Sequence, residues 1–290
     1  LVDRLLEKNF KVRGLVKYSS TNDLGWLKDN KNKNLEIIHG DISDYDSINE
    51  ACKNIDYVFN LAALISVPYS FKNPESFINT NVKGLINVIR AYKQNKNKIK
   101  KIIQISSSEV YGNTISSKIK VLSENLKLRS ESPYAASKIA ADYLAITSYR
   151  SDDTPIVVAR PFNTFGPRQS LRAVIPTIIT QLIKSKNKKI KIGNINSSRD
   201  FVYVKDTVEG LIKLLYSKKV VGEVVNISSN NSFSIKEIIR ILSNYTNSKP
   251  KIIIENKRLR KSELNKLHGS NKKIYNLTNW KPKYSSKENF

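Results

Sequence analysis

Strand-like and helix-like segments alternate along the first part of the sequence, and this alternation constrains the fold more than any other feature. Strands joined through helices form right-handed crossovers, which build a parallel sheet covered on both faces. The sequence therefore predicts a doubly wound α/β fold. The predicted strands are residues 11–16, 35–38, 56–61, 101–106 and 155–160.

One long amphipathic helix is predicted over residues 75–94, because Phe77, Val82, Leu85, Ile86 and Ile89 recur at helical spacing. After about residue 165 the alternation loosens. This change predicts a smaller second domain, some of whose elements return to the main sheet.

Composition argues against several classes of function. The formal charge is +25, but the lysines are scattered along the chain, which favours a solvated lysine-rich surface over a nucleic-acid site. Cys52 has no second thiol for a disulfide, and with only His39 and His268 we expect no metal site. No apolar run approaches the ~18 residues of a membrane span, so we expect a cytoplasmic protein without a membrane partner.

Two residues of "SPYAASKIAADYLA" could carry acid–base chemistry. Tyr134 and Lys138 are four apart on a predicted helix, so their side chains project from one face. A lysine ammonium beside a phenol favours the phenolate, which makes the tyrosine a usable base near neutral pH. The pair alone is weak evidence, because such spacing also occurs on helix surfaces.

Three further motifs follow predicted strands. "GDISD" follows strand 35–38, "FNLAAL" ends strand 56–61 and "SSSEVYG" ends strand 101–106. Strand carboxyl ends line the ligand crevice of such sheets. In this order the motifs resemble those of the extended short-chain dehydrogenase/reductase family, whose fold is Rossmann-like. "RPFNTFGPRQ", "SSRDFVYVKD" and "NWKP" are similar to its nucleotide-sugar epimerase, dehydratase and decarboxylase branch.

This resemblance implies a catalytic triad of Ser107, Tyr134 and Lys138 acting with NAD or NADP. Lys138 would hold the nicotinamide ribose, Tyr134 would take the proton of the sugar 4-hydroxyl, and Ser107 would share that hydrogen bond. A carboxylate at Glu109 could then remove the acidic C5 proton and drive loss of the 6-hydroxyl as water. The Ser108–Glu109 pair looks more like the GDP-mannose type of 4,6-dehydratase than the Asp–Glu type.

The resemblance also implies cofactor contacts. Asp41 and Ile42 would meet the adenine, Asn81 would support the nicotinamide half, and the small segment Leu61, Ala62 and Ala63 would let the cofactor approach closely. At the end of the second strand an acid would select NAD, but "GLVKYSS" offers Lys17 and serines instead. Both cofactors therefore stay open.

A finer resemblance concerns the sugar. "LAALISVPYSFKNPESFINTNVKG", "RPFNTFGPRQSLRAVIPTIITQ" and "RLRKSEL" are similar to the N-acetylglucosamine nucleotide 4,6-dehydratases of legionaminic-acid-type pathways. This implies UDP- or GDP-N-acetylglucosamine as the substrate and a role in polysaccharide biosynthesis. Asn163, Arg199 and Arg260 are the expected diphosphate ligands, and Ser108 is a further expected substrate contact.

The family pattern also sets expectations for organisation. We expect a dinucleotide-binding domain over 1–164 and a partly interleaved substrate-binding domain over 165–290. The first strand and glycine-rich loop of the fold are not in the sequence, and both ends look cut, so we expect a fragment that binds cofactor poorly. A homodimer is expected through helices 75–94 and 134–149.

Three alternatives stay open. A 4-epimerase or decarboxylase of the same branch would differ in whether water, carbon dioxide or neither leaves the sugar. A catalytically inactive binding module is a second reading, although the retained Ser107, Glu109, Tyr134 and Lys138 argue against it. Nucleic-acid binding through the basic surface is a third, and it predicts steep salt dependence.

Overall fold

The structure is a computed structural model that describes residues 1–95, 98–116, 118–184, 189–259 and 264–285. The chain divides into two compact units, each assembled from three stretches. The first unit comprises Leu1–Ser106, Ser132–Ala159 and Leu211–Val225. The second comprises Ser107–Glu131, Arg160–Gly210 and Asn226–Phe290. The chain therefore passes between the units several times, and the division at residue 165 stays a prediction.

The elements alternate up to residue 165 in the way that the sequence predicts. In chain order they are α1 (Val2–Glu7), β1 (Val12–Val16), β2 (Leu35–His39), α2 (Tyr45–Ala51), β3 (Tyr57–Asn60), α3 (Val67–Ser70), α4 (Pro74–Phe77), a π-helical segment (Ile78–Lys83), α5 (Gly84–Gln94), β4 (Lys101–Ile105), α6 (Pro133–Asp152), β5 (Ile156–Pro161) and β6 (Asn163–Phe165).

Shorter strands and longer loops follow in the remainder of the described chain. The elements are α7 (Val174–Lys184), β7 (Lys189–Ile192), β8 (Ser198–Arg199), β9 (Phe201–Tyr203), α8 (Val204–Tyr216), β10 (Val224–Ile227), β11 (Phe233–Ser234), α9 (Ile235–Tyr245), β12 (Lys251–Ile254), β13 (Lys266–Leu267) and α10 (Lys272–Thr278).

The main sheet has the strand order β10-β5-β4-β3. Strand β4 pairs in parallel with β3 on one side and β5 on the other, with Tyr57 opposite Lys101 and Ile102 opposite Ile156. The apolar side chains of β4 and β5 are almost fully buried, as expected for parallel strands covered on both faces. The doubly wound α/β fold is confirmed, and β10 is the late strand that returns to this sheet.

The first unit contains a second parallel pair, in which Val12 of β1 lies opposite Leu35 of β2. Its core joins helices to the main sheet through buried residues that include Ile48, Leu85 and Ile102. Gly84 lets α5 approach the segment after β2 closely, because a Cβ atom there would lie 2.7 Å from Cγ1 of Ile42.

The helix predicted over residues 75–94 departs from an uninterrupted α-helix. The π-helical segment interrupts it, and such segments are often found at functional sites. A π turn contains extra residues, so it rotates the following helix relative to the 3.6-residue pattern. Phe77 and Leu85 are therefore buried, whereas Ile86, which the spacing placed on the same apolar face, is 39% exposed.

The second unit contains small sheets around its own core. β8 lies between β11 and β13, β12 pairs in parallel with β7, and β6 pairs in parallel with β9. The core includes Ile178, Ile190, Phe201 and Ile238. Helix α9 begins with a capping box, in which Ser234 and Glu237 satisfy each other's backbone N–H groups.

The described part of the chain contains neither a membrane-spanning helix nor a cluster of metal-binding side chains. No helix there combines the length and apolar character needed to cross a membrane. Within the same residues no group of three His, Cys, Asp or Glu side chains could hold a metal ion.

Candidate active site

The start of α6 fixes the geometry of the predicted tyrosine–lysine pair. Ser132 is the N-cap, and its Oγ accepts a hydrogen bond of 3.1 Å from the backbone N–H of Ala135. Pro133 follows at the first helical position, which its fixed φ favours. Tyr134 and Lys138 therefore lie one turn apart near the beginning of the helix, and both are buried.

Lys138 connects α6 to the carboxyl end of β4. Its Nζ donates a hydrogen bond of 2.8 Å to the backbone carbonyl of Ile105. Burial lowers the pKa of Lys138 to about 8, and the Asp142 carboxylate one turn later opposes that shift. Ser106, which follows Ile105 in the sequence, has a buried hydroxyl with no hydrogen-bond partner in the described residues. This strand end therefore holds a lysine and an unused hydroxyl side by side.

Asn81, in the π-helical segment, holds several elements together. Its Oδ1 accepts from the N–H of Leu64, and its Nδ2 donates to the carbonyl of Leu64 and, at 2.9 Å, to Oγ of Ser137. Ser137 in turn donates to the carbonyl of Tyr134 at 2.7 Å. The Asn81 amide thus ties the loop after β3 to α6, and a contact with cofactor stays a prediction.

An ionised carboxylate lies at the end of β2. Oδ1 of Asp41 accepts hydrogen bonds from the Ser43 hydroxyl and N–H, and its Oδ2 lies 3.0 Å from Nζ of Lys17. The Ser43 hydrogen bonds, helped by Lys17, lower the pKa of Asp41 to about 2. Its neighbour Ile42 is 9% exposed and packs in the core, so only part of its surface could face a ligand.

The segment after β3 is apolar and open. Leu61 is 50% exposed, Ala62 is exposed and Ala63 is half-buried. The carboxyl ends of β2, β3 and β4 in the first unit thus present an ionised acceptor, small apolar residues, a lysine and an unpaired hydroxyl. This set fits a dinucleotide, whose adenine amino group, flat rings and ribose hydroxyls need such partners.

The serine–glutamate motif forms a 3-10 turn in the second unit, Ser108–Tyr111. Ser107 caps this turn, with its Oγ accepting from the N–H of Glu109 at 3.2 Å. Ser107 and Glu109 are half-buried, so each retains accessible surface. Ser108 is 3% exposed, and its predicted contact with substrate would have to use that small surface.

The expected diphosphate ligands Asn163 and Arg199 also belong to the second unit. The N–H of Asn163 donates to the carbonyl of Asp200 at 3.0 Å, and Oδ1 of Asn163 is buried with no partner in the described residues. Arg199, at the end of β8, is 9% exposed and donates from Nη1 to the carbonyl of Ser198. The predicted ligand Arg260 lies outside the described residues.

Asp200, next to Arg199, holds two loops. Its Oδ1 accepts from the N–H and Oγ of Ser229 at 2.8 and 2.6 Å, and its Oδ2 accepts from the N–H of Gly269 at 3.3 Å. Burial raises the pKa of this carboxyl to about 7, although the hydrogen bonds oppose the shift. The carboxyl therefore anchors the loops beside the expected diphosphate ligand.

Comparison with known proteins agrees with the family resemblance of the motifs. The sequence model of GDP-mannose 4,6 dehydratase matches residues 1–290. The chain belongs to the GDP-mannose 4,6 dehydratase family.

Individual relatives in and around the GDP-mannose 4,6 dehydratase family have different activities. The chain is 30% identical to GDP-6-deoxy-D-mannose reductase of Pseudomonas aeruginosa, over 86% of this chain and 82% of the relative. It is also 30% identical to GDP-mannose 4,6 dehydratase 1 of Arabidopsis thaliana, over 98% of this chain and 81% of the relative.

A solved structure shows a similar fold with ligands bound. UDP-glucuronic acid 4-epimerase from Bacillus cereus, in complex with UDP-glucuronic acid and NAD, is 26% identical and has a TM-score of 0.86. The match covers 97% of this chain and 89% of that one. The Rossmann-like α/β fold of the GDP-mannose 4,6 dehydratase family is thus shared by enzymes that act on different nucleotide sugars.

The sequence did not lead us to the residues that hydrogen-bond to the predicted site residues and hold them in place. Ser137 lies between Tyr134 and Lys138 in the sequence. A serine at that position could have been recognised as a hydrogen-bonding residue of the site. Ser43 was another, because a serine two residues after an aspartate often hydrogen-bonds its carboxylate. No local signal reveals that the hydroxyl of Tyr111 hydrogen-bonds to Asn226 and Arg160, which are distant in sequence.

Proposed function

We propose that the chain is an NAD- or NADP-dependent nucleotide-sugar 4,6-dehydratase that acts on UDP- or GDP-N-acetylglucosamine. The observation that carries this proposal is the position of Glu109 on the turn directly after β4, in a chain that retains Ser107, Tyr134 and Lys138. Family membership supports a nucleotide-sugar enzyme. The product would be the 4-keto-6-deoxy sugar.

The cofactor would be held by the first unit. Asp41 would accept hydrogen bonds from the adenine amino group, with Ile42 beside it, and the segment Leu61–Ala63 would pack against the dinucleotide. Lys138 would bind the nicotinamide ribose, and Asn81 would support that end. Lys17 beside Asp41 supports tolerance of a 2′-phosphate, so either cofactor suits the site. A bound nicotinamide would supply the hydride acceptor for oxidation at sugar C4 and the hydride donor for C6.

Tyr134 would take the proton from the sugar 4-hydroxyl. The Lys138 ammonium favours the phenolate by its charge, and Ser107 would donate a hydrogen bond to the same sugar oxygen. The proton that Tyr134 takes would offset the one that leaves with the 6-hydroxyl as water.

Glu109 would act once C4 is a ketone. Its carboxylate takes the C5 proton, the C5–C6 double bond forms, and the C6–O bond breaks as the hydroxyl leaves with a proton as water. Hydride addition at C6 and return of the C5 proton from Glu109 would then remove the double bond. The sugar loses one water, and there is no net oxidation or reduction.

The diphosphate of the substrate would lie in the second unit. Asn163, Arg199 and Arg260 are its proposed ligands, because guanidinium groups offer paired donors to phosphate oxygens. Ser108 is a further proposed contact. The N-acetylglucosamine moiety is supported by the resemblance to dehydratases of legionaminic-acid-type pathways, which also supports a role in polysaccharide biosynthesis.

A second candidate within the family is a 4-epimerase, favoured by the likeness to the 4-epimerase from B. cereus. A decarboxylase is the third. The epimerase releases no small molecule and the decarboxylase releases carbon dioxide, whereas a dehydratase releases water. A carboxylate at Glu109 favours the dehydratase, because an epimerase does not need a base at C5.

Helices α5 and α6 support a homodimer. Between them runs a groove lined by residues of both helices, including Ile86, Ile89 and Leu144. Ile86 and Leu144 are 39% and 36% exposed, and Tyr143 beside Leu144 is 62% exposed. Pairing this face with a second copy would cover these side chains. We place the homodimer in the cytoplasm, where nucleotide sugars would supply its substrate.

Mass spectrometry of the reaction products tests the proposed function. The protein is incubated with UDP- or GDP-N-acetylglucosamine and trace NAD or NADP. Loss of one water without net reduction of cofactor is the expected result, and the substrate that reacts identifies the nucleotide. An epimer of unchanged mass detected by NMR would replace the dehydratase with a 4-epimerase. Loss of carbon dioxide in a parallel incubation with a nucleotide sugar that carries a 6-carboxylate would replace it with a decarboxylase.

A further inference from the structure

Tyr111 ties the turn that carries Glu109 to the interior of the second unit. It is the last residue of the 3-10 turn and is fully buried. Its hydroxyl donates to Oδ1 of Asn226 at 2.7 Å and accepts from Nη1 of Arg160 at 3.0 Å. The turn is therefore fixed at one end by two hydrogen bonds to residues that are distant in sequence.

Arg160 is an unusual component of an interior. It is 3% exposed, and its guanidinium carbon lies 5.1 Å from the centroid of the Tyr111 ring. A buried arginine destabilises a fold unless hydrogen bonds and charge–ring contacts compensate for its lost hydration. Burial also raises the pKa of Tyr111 to about 12, so the phenol keeps its proton and continues to donate to Asn226.

Asn226 extends the network. Its N–H donates to Oε1 of Glu124 at 2.8 Å, and its Nδ2 donates to the carbonyl of Leu122 at 3.2 Å. Both side-chain atoms of its amide are therefore engaged, with Oδ1 facing Tyr111. This arrangement gives the phenol an acceptor in only one orientation.

The backbone of the turn is fixed as well. The hydroxyl of Thr114 donates to the carbonyl of Tyr111, and the N–H of Arg129 donates to the carbonyl of Val110 at 2.9 Å. Gly112 ends the turn with φ of +55°, and a Cβ atom there would lie 2.4 Å from the carbonyl oxygen of Arg129. The turn has little freedom to shift its path.

We propose that Tyr111, Arg160 and Asn226 are positioning residues that hold the Glu109 carboxylate in place for removal of the C5 proton. This proposal rests on the proposed dehydratase function. A phenylalanine would fill the space of Tyr111 without any buried polar partner, so hydrophobic packing does not require the network. A connected polar network instead specifies one arrangement of the turn. Its effect is to favour water elimination over return of hydride to C4.

Tyr111→Phe tests the proposal, because it removes only the hydroxyl. Single-turnover absorbance follows the appearance of reduced cofactor, and mass spectrometry follows water loss in the same samples. We expect cofactor reduction within about twofold of wild type and water loss slower by about 10- to 100-fold, as for a misplaced catalytic group. Tyr92→Phe is the matched control, since Tyr92 is a buried tyrosine of the first unit.

Equal slowing of both steps, or no change in either, would overturn the proposal. If Tyr111→Phe does not fold, Thr114→Val replaces it, because this change removes a hydrogen bond to the same turn at a half-buried position. Its effect is measured in the same way, as the rate of water loss relative to the rate of cofactor reduction. Failure of the proposed function looks different, because wild type itself would then lose no water.

Carboxyl carbon NMR of Glu109 provides a test that does not depend on turnover. If the network holds Glu109, its carboxyl resonance should broaden or change its titration midpoint in Tyr111→Phe. The same resonance should be unchanged in Tyr92→Phe. An identical Glu109 titration in wild type and Tyr111→Phe would refute the positioning role, whatever reaction the enzyme catalyses.

Discussion

Nζ of Lys138 lies 2.8 Å from the backbone carbonyl oxygen of Ile105, which joins the beginning of α6 to the carboxyl end of β4. A second buried lysine, Lys101, lies at the other end of the same strand. Its Nζ donates to the carbonyls of Leu214, Leu215 and Ser217 at 3.0, 2.8 and 2.6 Å, where α8 ends. One strand thus begins and ends at a buried lysine, and the two differ in the number of carbonyls they bind.

The two lysines should respond oppositely to replacement by methionine. Lys138→Met should abolish cofactor reduction yet stabilise the fold by about 1–3 kcal/mol near neutral pH, because burial disfavours the ammonium more than its one hydrogen bond favours it. Lys101→Met should retain activity and destabilise the fold, because three helix-end carbonyls lose their donor. Urea unfolding and single-turnover assays measure both quantities.

The Lys138→Met difference should also depend on pH. The folded pKa of Lys138 is about 8 and the ordinary pKa of a lysine is 10.5, so the penalty is complete below pH 8 and shrinks as pH rises toward 10.5. A stability difference that stays constant across this range would show that Lys138 is not the titrating group.

Glu109→Gln should separate oxidation from elimination. The amide cannot take the C5 proton, so water loss should fall by about 10²- to 10⁴-fold, while reduced cofactor still appears in a single turnover. Glu7→Gln is the control, because Glu7 is a surface carboxylate paired with Arg4. Wild-type water loss in Glu109→Gln would assign the base to another residue.

Asp200 should make stability depend on pH. Its folded pKa of about 7 exceeds the ordinary aspartate pKa of 3.8, so its contribution to stability is fully present below pH 3.8 and is lost as pH rises to 7. Relative to Asp200→Asn, wild type should therefore lose up to about 4 kcal/mol of unfolding free energy between pH 4 and 7. Parallel curves from urea titrations would show that Asp200 stays ionised throughout.

A charge in the groove between α5 and α6 should dissociate the proposed homodimer. Ile86→Glu or Leu144→Glu would bury an unpaired carboxylate at the interface, so light scattering after gel filtration should give the mass of a monomer. Ile183→Glu changes an apolar residue of α7 that is 72% exposed, and it should leave the mass unchanged. A wild-type monomer would refute the dimer directly.

Periodicity and turn chemistry were sufficient to predict much of the fold. The five predicted strands agree with β1 to β5 within one or two residues, because parallel strands buried on both faces have continuous apolar runs. The tyrosine–lysine pair was predictable for a similar reason, since an N-cap serine and a proline mark the beginning of α6.

The remaining features depend on tertiary contacts that local patterns do not contain. The π-helical segment changes the phase of α5, and nothing in the spacing of Leu85 and Ile86 announces it. The partners of Tyr111 lie 49 and 115 residues further along the chain. Individual side chains of the candidate site could be predicted, but the groups that hold them in place could not.

The interleaving of the first unit has a consequence for biosynthesis. The first two residues of strand β10 and the residues that bind Lys101 belong to Leu211–Val225, the last stretch of that unit to leave the ribosome. Until then, the nascent β5 has no outer neighbour and Lys101 has no carbonyls to bind. Completion of the unit therefore waits for synthesis of most of the chain, and contacts across such long sequence separations make this step slow. During translation the nascent chain should depend on chaperones that shield the apolar side chains of β4 and β5.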